Sequence, residues 1–186
     1  IAINLGIDPK QTEQNVRGSV VLPHGTGKNM RVIVFAESED AEIAKTAGAD
    51  EVGADDLAEK IKSGFSDFDI VIATPSSMKI VGQLGQILGP KGLMPNPKDG
   101  TVTKNIKEAV NNAKKGQAMF RNDKGGVLHC SIGSTSFPEE SIKENLLSLI
   151  EQVNKSKPSS AKGIFIKKVT VSSTMGPGIQ VDESSI

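Results

Sequence analysis

The sequence predicts a two-domain chain of mixed α+β and α/β type: a split α+β sandwich as the outer domain, interrupted by an inserted three-layer α/β/α domain. Three observations predict it. Apolar and polar residues alternate near both ends of the chain, the pattern of a sheet with one face in water. Between those ends the texture changes to almost unbroken apolar runs, Arg31-Val-Ile-Val-Phe-Ala36 and Phe68-Asp-Ile-Val-Ile-Ala73, spaced by helical stretches, as in a parallel sheet covered on both faces. Neither outer piece holds enough apolar surface to fold alone, so the two must share one core. The boundaries fall at 1–27 and 117–186 for the outer domain and 28–116 for the insert, with residues 29 to about 116 reading as a small doubly wound unit. Glycines stand at both crossings, Gly25 and Gly27 at one and Gly116 at the other, and these are candidate hinge points.

Taken in order, Ile1 to Leu5 alternates weakly until Gly6-Ile7-Asp8-Pro9 breaks it. Val16 to Leu22 is a second strand, with Arg17 and Ser19 on one face. The turn Pro23-His24-Gly25-Thr26-Gly27-Lys28 invites a phosphate-loop reading, which fails. A Walker loop needs Gly five residues before its Gly-Lys pair and Ser or Thr after it, and Leu22 and Asn29 stand there. Inside the insert, the apolar strand at 31–36 leads to a helix over Ala41–Ala47, stopped by Gly48. A short strand at Glu51-Val52 precedes a helix over Asp55–Ser63 with acids in its first turn, where the helix dipole favours them. After the strand at 68–73, Thr74-Pro75-Ser76-Ser77 offers caps to a helix running to about Leu88. Asn105 to Lys115 is the last helix of the insert.

Period-2 texture then returns. Ala118–Arg121 and Gly126–Ile132 form a hairpin through Asn122-Asp123-Lys124-Gly125. A helix opens with Ser136 as N-cap and Pro138 early, and buries the stripe Ile142, Leu146, Leu149, Ile150 and Val153. A basic tail, Lys155 to Lys162, leads to the closing strand Ile164–Val171. Alternation puts Lys168, Thr170, Ser172 and Thr174 in one polar row, with Val169 and Val171 facing a core. The row ends in Ser173-Thr174-Met175-Gly176-Pro177-Gly178, a turn with exposed backbone and little bulk. Short hydroxyls, a lysine and a bare turn suit close approach by a sugar–phosphate backbone, because the RNA 2′-hydroxyl both donates and accepts. The bland alternative is a solvent face followed by a chain-end turn.

The stretch Gly89 to Gly100 carries three prolines and three glycines, which exclude helix and regular strand. It is read either as a second surface presenting Lys91, Asn96 and Lys98 or as a rigid connector anchored by Leu93 and Met94.

Composition excludes several functions. The two histidines, His24 and His129, and the single Cys130 have no metal-ligand spacing, and no Ser/His/Asp signature is recoverable. Cys130 lies in an apolar alternation and is read as small buried filler in a chain without disulfides. No run approaches the roughly 20 apolar residues of a membrane span. With no Trp or Tyr, stacking platforms for bases are scarce. The formal net charge is +0, and charge divides almost evenly between insert and outer pieces, so no basic face is legible. Ile1 stands in what reads as mid-strand with no methionine before it, so the expectation is a fragment of a longer protein whose N-terminal part is basic. Three functional classes remain on these grounds. One is an RNA-binding protein. Another is a small-molecule α/β enzyme with a deep pocket at the carboxyl ends of Val32–Phe35 and Ile70–Ala73. The last is a protein-interaction module.

Five stretches together resemble a known family, the bacterial ribosomal protein L-one family. They are Gln14-Asn15-Val16-Arg17-Gly18, Leu22 to Lys28, Gly89 to Lys98, Phe120-Arg121-Asn122-Asp123-Lys124, and Ser173-Thr174-Met175-Gly176. They occur in the family's order across essentially the whole chain, although the family has some forty further N-terminal residues. The resemblance implies an outer domain gripping a bulged element of 23S rRNA at the mobile stalk of the large subunit, and a Rossmann-like insert that swings about its linkers. It implies a cytoplasmic, ribosome-bound protein without enzymatic activity, cofactor, membrane or small-molecule substrate. It further implies that the protein helps deacylated E-site tRNA leave and represses translation of its own operon mRNA. By position, Thr174, Met175 and Gly176 match the family's RNA-contact motif. Ser172 and Lys168 join them from the strand pattern, and Arg121 and Lys124 are phosphate contacts by type.

Overall fold

The computed structural model describes residues 1–182 apart from Ser38 and Lys162. Its strands are β1 (Ala2–Leu5), β2 (Arg17–Val21), β3 (Val32–Phe35), β4 (Glu51–Gly53), β5 (Ile70–Ala73), β6 (Gln117–Asn122), β7 (Val127–His129), β8 (Ile166–Val171) and β9 (Ile179–Val181). Its helices are α1 (Glu39–Thr46), α2 (Asp55–Lys62), α3 (Met78–Gln83), α4 (Gly85–Leu88), α5 (Ile106–Lys114) and α6 (Glu139–Lys155). The chain divides into two compact units, Ile1–Gly27 with Gln117–Ile186, and Lys28–Gly116.

The first unit is a six-stranded sheet of order β2-β6-β7-β1-β8-β9, antiparallel at every pairing. Ile3, Leu5, Val20, Phe120, Leu128 and Val169 point to one face and pack against Leu146, Leu149, Ile150 and Val153 of α6. Their partners by alternation, among them Asn4, Met119, Arg121 and His129, are exposed on the other face. Gly18 is required by this packing: a Cβ there would lie 2.9 Å from the ring of Phe120.

Four expectations are corrected in this unit. The turn at Gly176-Pro177-Gly178 does not close the sheet as expected but leads into a further strand, β9, paired with β8 from Val169↔Val181 to Val171↔Ile179. β7 stops at His129 rather than Ile132, although the Cys130 N–H still reaches the Ile1 carbonyl at 3.1 Å. Ser136 does not cap α6. Pro138 holds that position and the Ser136 hydroxyl donates to Ser134 Oγ at 3.2 Å. β8 is not regular, because Asn4 pairs with Lys168 while Leu5 pairs with Ile166, a β-bulge that leaves Lys167 unpaired.

The second unit holds a parallel sheet of order β4-β3-β5, extended by a parallel bridge between Ala73 and Val102. All eight residues of β3 and β5 are buried. Val32, Val34, Ile70 and Ile72 pack with α1 and α5, whereas Ile33, Phe35, Val71 and Ala73 pack with α2, α3 and α4. Layers of helix therefore cover both faces, as the apolar runs demand. The helix expected to run to Leu88 breaks at Leu84, between α3 and α4. Gly82 and Gly85 flank that break, and interior glycine weakens a helix by up to about 1 kcal/mol each.

Candidate nucleic-acid interface

The most exposed chemistry lies on the β8–β9 hairpin. Its loop, Ser172 to Gly178, is exposed throughout, and Met175 at the tip is 95% exposed. Methionine is normally a core filler, and covering such a side chain is worth about 1.5–3 kcal/mol. The turn is tight: a Cβ on Gly176 would strike Ser173 Oγ, and one on Gly178 would lie 3.0 Å from Thr170 Cγ2. A side chain at either glycine would have to displace one of these groups.

Sheet register supplies the second part. Arg17 pairs with Arg121, Arg121 with His129, His129 with Ala2, Ala2 with Thr170 and Thr170 with Gln180. This single row crosses all six strands on the face away from α6. Beside it Lys168 sits opposite Asn4. Of the expected polar row, Lys168 and Thr170 share this sheet face. Ser172 and Thr174 lie beyond the last pair of the ladder, in the loop, so strand alternation does not place them. Val171, expected in the core, is only half-buried. Arg121 stands three strands from Thr170, about 14 Å at ~4.8 Å per strand.

Lys124 lies at the other end of the sheet from the loop. It tops the β6–β7 turn, which is built around Asp123: the Asp123 carboxylate accepts from Val127 N–H at 2.9 Å and Gly125 N–H at 2.8 Å. The Val127 N–H is the main reason the Asp123 carboxyl sits below the usual carboxylate range; partial desolvation opposes the shift, and Gly125 and His129 reinforce it. The strand pattern puts Arg17 on a face without bringing it beside Arg121, and it gives His129 and Gln180 no part in an RNA surface. Cross-strand partners are not encoded by local spacing.

Lys91, Asn96 and Lys98 belong to the other unit. Lys91 and Lys98 are exposed, but Asn96 is committed to the loop. Its Oδ1 accepts from Lys98 N–H at 2.9 Å, and its own N–H donates to Thr101 Oγ1 at 2.8 Å. Leu93 and Met94 pack on the core, so the loop is ordered by its own contacts.

The enzyme alternative finds no support at the carboxyl ends of β3 and β5. Polar groups there are spent on one another, Thr74 Oγ1 lying 2.9 Å from Ser76 Oγ and 2.8 Å from Ser77 Oγ. An open hollow in this unit lies elsewhere, lined by Glu42, Ile43, Thr46, Ala47 and Lys107. Among the described residues no cluster of His, Cys, Asp or Glu is placed to hold a metal ion, and no helix is long and apolar enough to cross a membrane. Burial pushes the Cys130 thiol up, an effect partly offset by a backbone hydrogen bond at Ser131, which fits a packed thiol.

Residues 1–177 match the model of the Ribosomal protein L1p/L10e family. The chain belongs to that family. Large ribosomal subunit protein uL1 of Actinobacillus succinogenes is 61% identical over all of this chain and 81% of its own length. The uL1 proteins of Haemophilus influenzae strain Rd and Thioalkalivibrio sulfidiphilus are each 60% identical over the whole chain. Members of this family are structural ribosomal proteins and not enzymes, so the chain is a ribosomal protein of the large-subunit, cytoplasmic kind.

Proposed function

We propose that the first unit binds a folded element of 23S rRNA at the stalk of the large subunit, through the Ser172–Gly178 loop and the sheet face away from α6. The observation that carries this reading is Met175, 95% exposed at the tip of a turn of short residues, at the edge of a face that carries Arg17, Arg121 and Lys168. Thr174 and Ser172 offer hydroxyls to ribose 2′-OH groups, and Gly176 lets the backbone approach. Arg121, Lys168 and Lys124 meet phosphates, which position the RNA without reading its sequence. We set the protein beside the E site from its resemblance to the family. On this reading the inserted unit assists release of E-site tRNA, with Lys91 and Lys98 as a second contact surface. The chain crossings at Gly27 and Gly116, both at positive φ, act as its pivots. The same RNA surface serves repression of the protein's own operon mRNA.

The test is filter binding of the full chain to the rRNA stalk fragment. Thr174→Ala and Met175→Asp each weaken binding by about 1–3 kcal/mol, the cost of a lost close contact. Variants that bind as tightly as wild type remove the loop from the interface.

A further inference from the structure

The β8 bulge changes which lysines face the proposed RNA. Ile166 and Val169 both pack on the core, yet they are three residues apart, a spacing no regular strand allows. The two residues between them, Lys167 and Lys168, are both exposed. Register explains this: Asn4 pairs with Lys168 and Leu5 with Ile166, so Lys167 is the extra residue. Simple alternation would have sent Lys167 to the α6 side. The bulge leaves it exposed instead, its Cε passing beside Gly6, where the Ile164 backbone carbonyl already fills the place of a Cβ. Gly6 is itself tied into the bulge, its N–H donating to the Phe165 carbonyl at 2.7 Å. Among the described residues neither lysine is held in an ion pair.

We propose that the bulge makes Lys167 and Lys168 a two-lysine clamp for neighbouring phosphates of the bound RNA strand. This inference rests on the RNA-binding reading above. Adjacent Cα atoms are about 3.8 Å apart, and two flexible four-carbon stems leaving from that spacing reach successive phosphates, each neutralised phosphate releasing counterions. A bulge that re-aims a side chain at a binding site is a recurrent use of the feature.

The experiment measures affinity of the full chain for the labelled rRNA stalk fragment over a salt series. Wild-type binding establishes the underlying reading. Against it, Lys167→Gln lowers affinity about 3- to 10-fold near 0.1 M salt and reduces the slope of log K against log salt by about one, as Lys168→Gln does. Lys167→Arg, which keeps the charge, restores most of both, and the melting temperature stays unchanged because the residue is exposed. Should Lys167→Gln match wild type in affinity and slope while Lys168→Gln does not, the clamp is overturned and the interface stands. Failure of the wild-type chain to bind the fragment overturns both.

Discussion

At the scale of single residues, Asn145 shows how one buried polar group organises a loop. It is fully buried, accepts from His24 N–H at 3.1 Å, and donates to the Gly25 carbonyl at 3.0 Å and the Ile132 carbonyl at 2.8 Å. A stripe of apolar residues on α6 announces the core, but nothing local announces that an asparagine inside the stripe holds a turn 120 residues away. Asn145→Leu strands three backbone groups without partners and is expected to lower stability by about 3 kcal/mol, read from the urea midpoint. Gly18→Ala forces a methyl against Phe120 and costs about 1–3 kcal/mol in the same assay, unless the ring shifts. Met175→Ala behaves in the opposite way: at 95% exposure it leaves the urea midpoint where it was and weakens RNA binding.

At the scale of elements, the β6–β7 turn is the clearest case of sequence chemistry becoming geometry. Asn122 to Gly125 signals a hairpin, and Asp123 closes it by accepting the N–H groups of Gly125 and Val127. Because those bonds hold the folded Asp123 carboxyl below its ordinary 3.8, its stabilisation is complete above that value and is lost as pH falls through the lower folded value. Wild type is therefore expected to lose more stability than Asp123→Asn between about pH 5 and pH 3, measured by urea unfolding at each pH. Equal losses would detach the turn from this carboxylate. The α3–α4 break was less legible, since the caps at Thr74–Ser77 and a helical pattern to Leu88 hid the effect of Gly82 and Gly85.

At the scale of the whole molecule, a net charge of zero coexists with Arg17 and Arg121 side by side on one sheet face. Arg121, with Lys167 and Lys168 nearby, predicts that RNA affinity falls with salt at a log–log slope of about −2 to −3, for about three neutralised phosphates. A slope near zero in the full chain would leave the face without an electrostatic role. The sequence by itself determined the class of each sheet and the small-residue loop at 172–178. Period-2 alternation, unbroken apolar runs and Gly-Pro punctuation act over a few residues and need no partner to be read. Only the tertiary structure decided that Arg17, Arg121, His129 and Thr170 share one row, that β9 completes the hairpin, and that Lys167 is exposed. Strand order and register come from contacts between residues as far apart in the chain as Ala2 and Thr170, and one extra residue in a ladder reverses every side-chain assignment that local spacing makes.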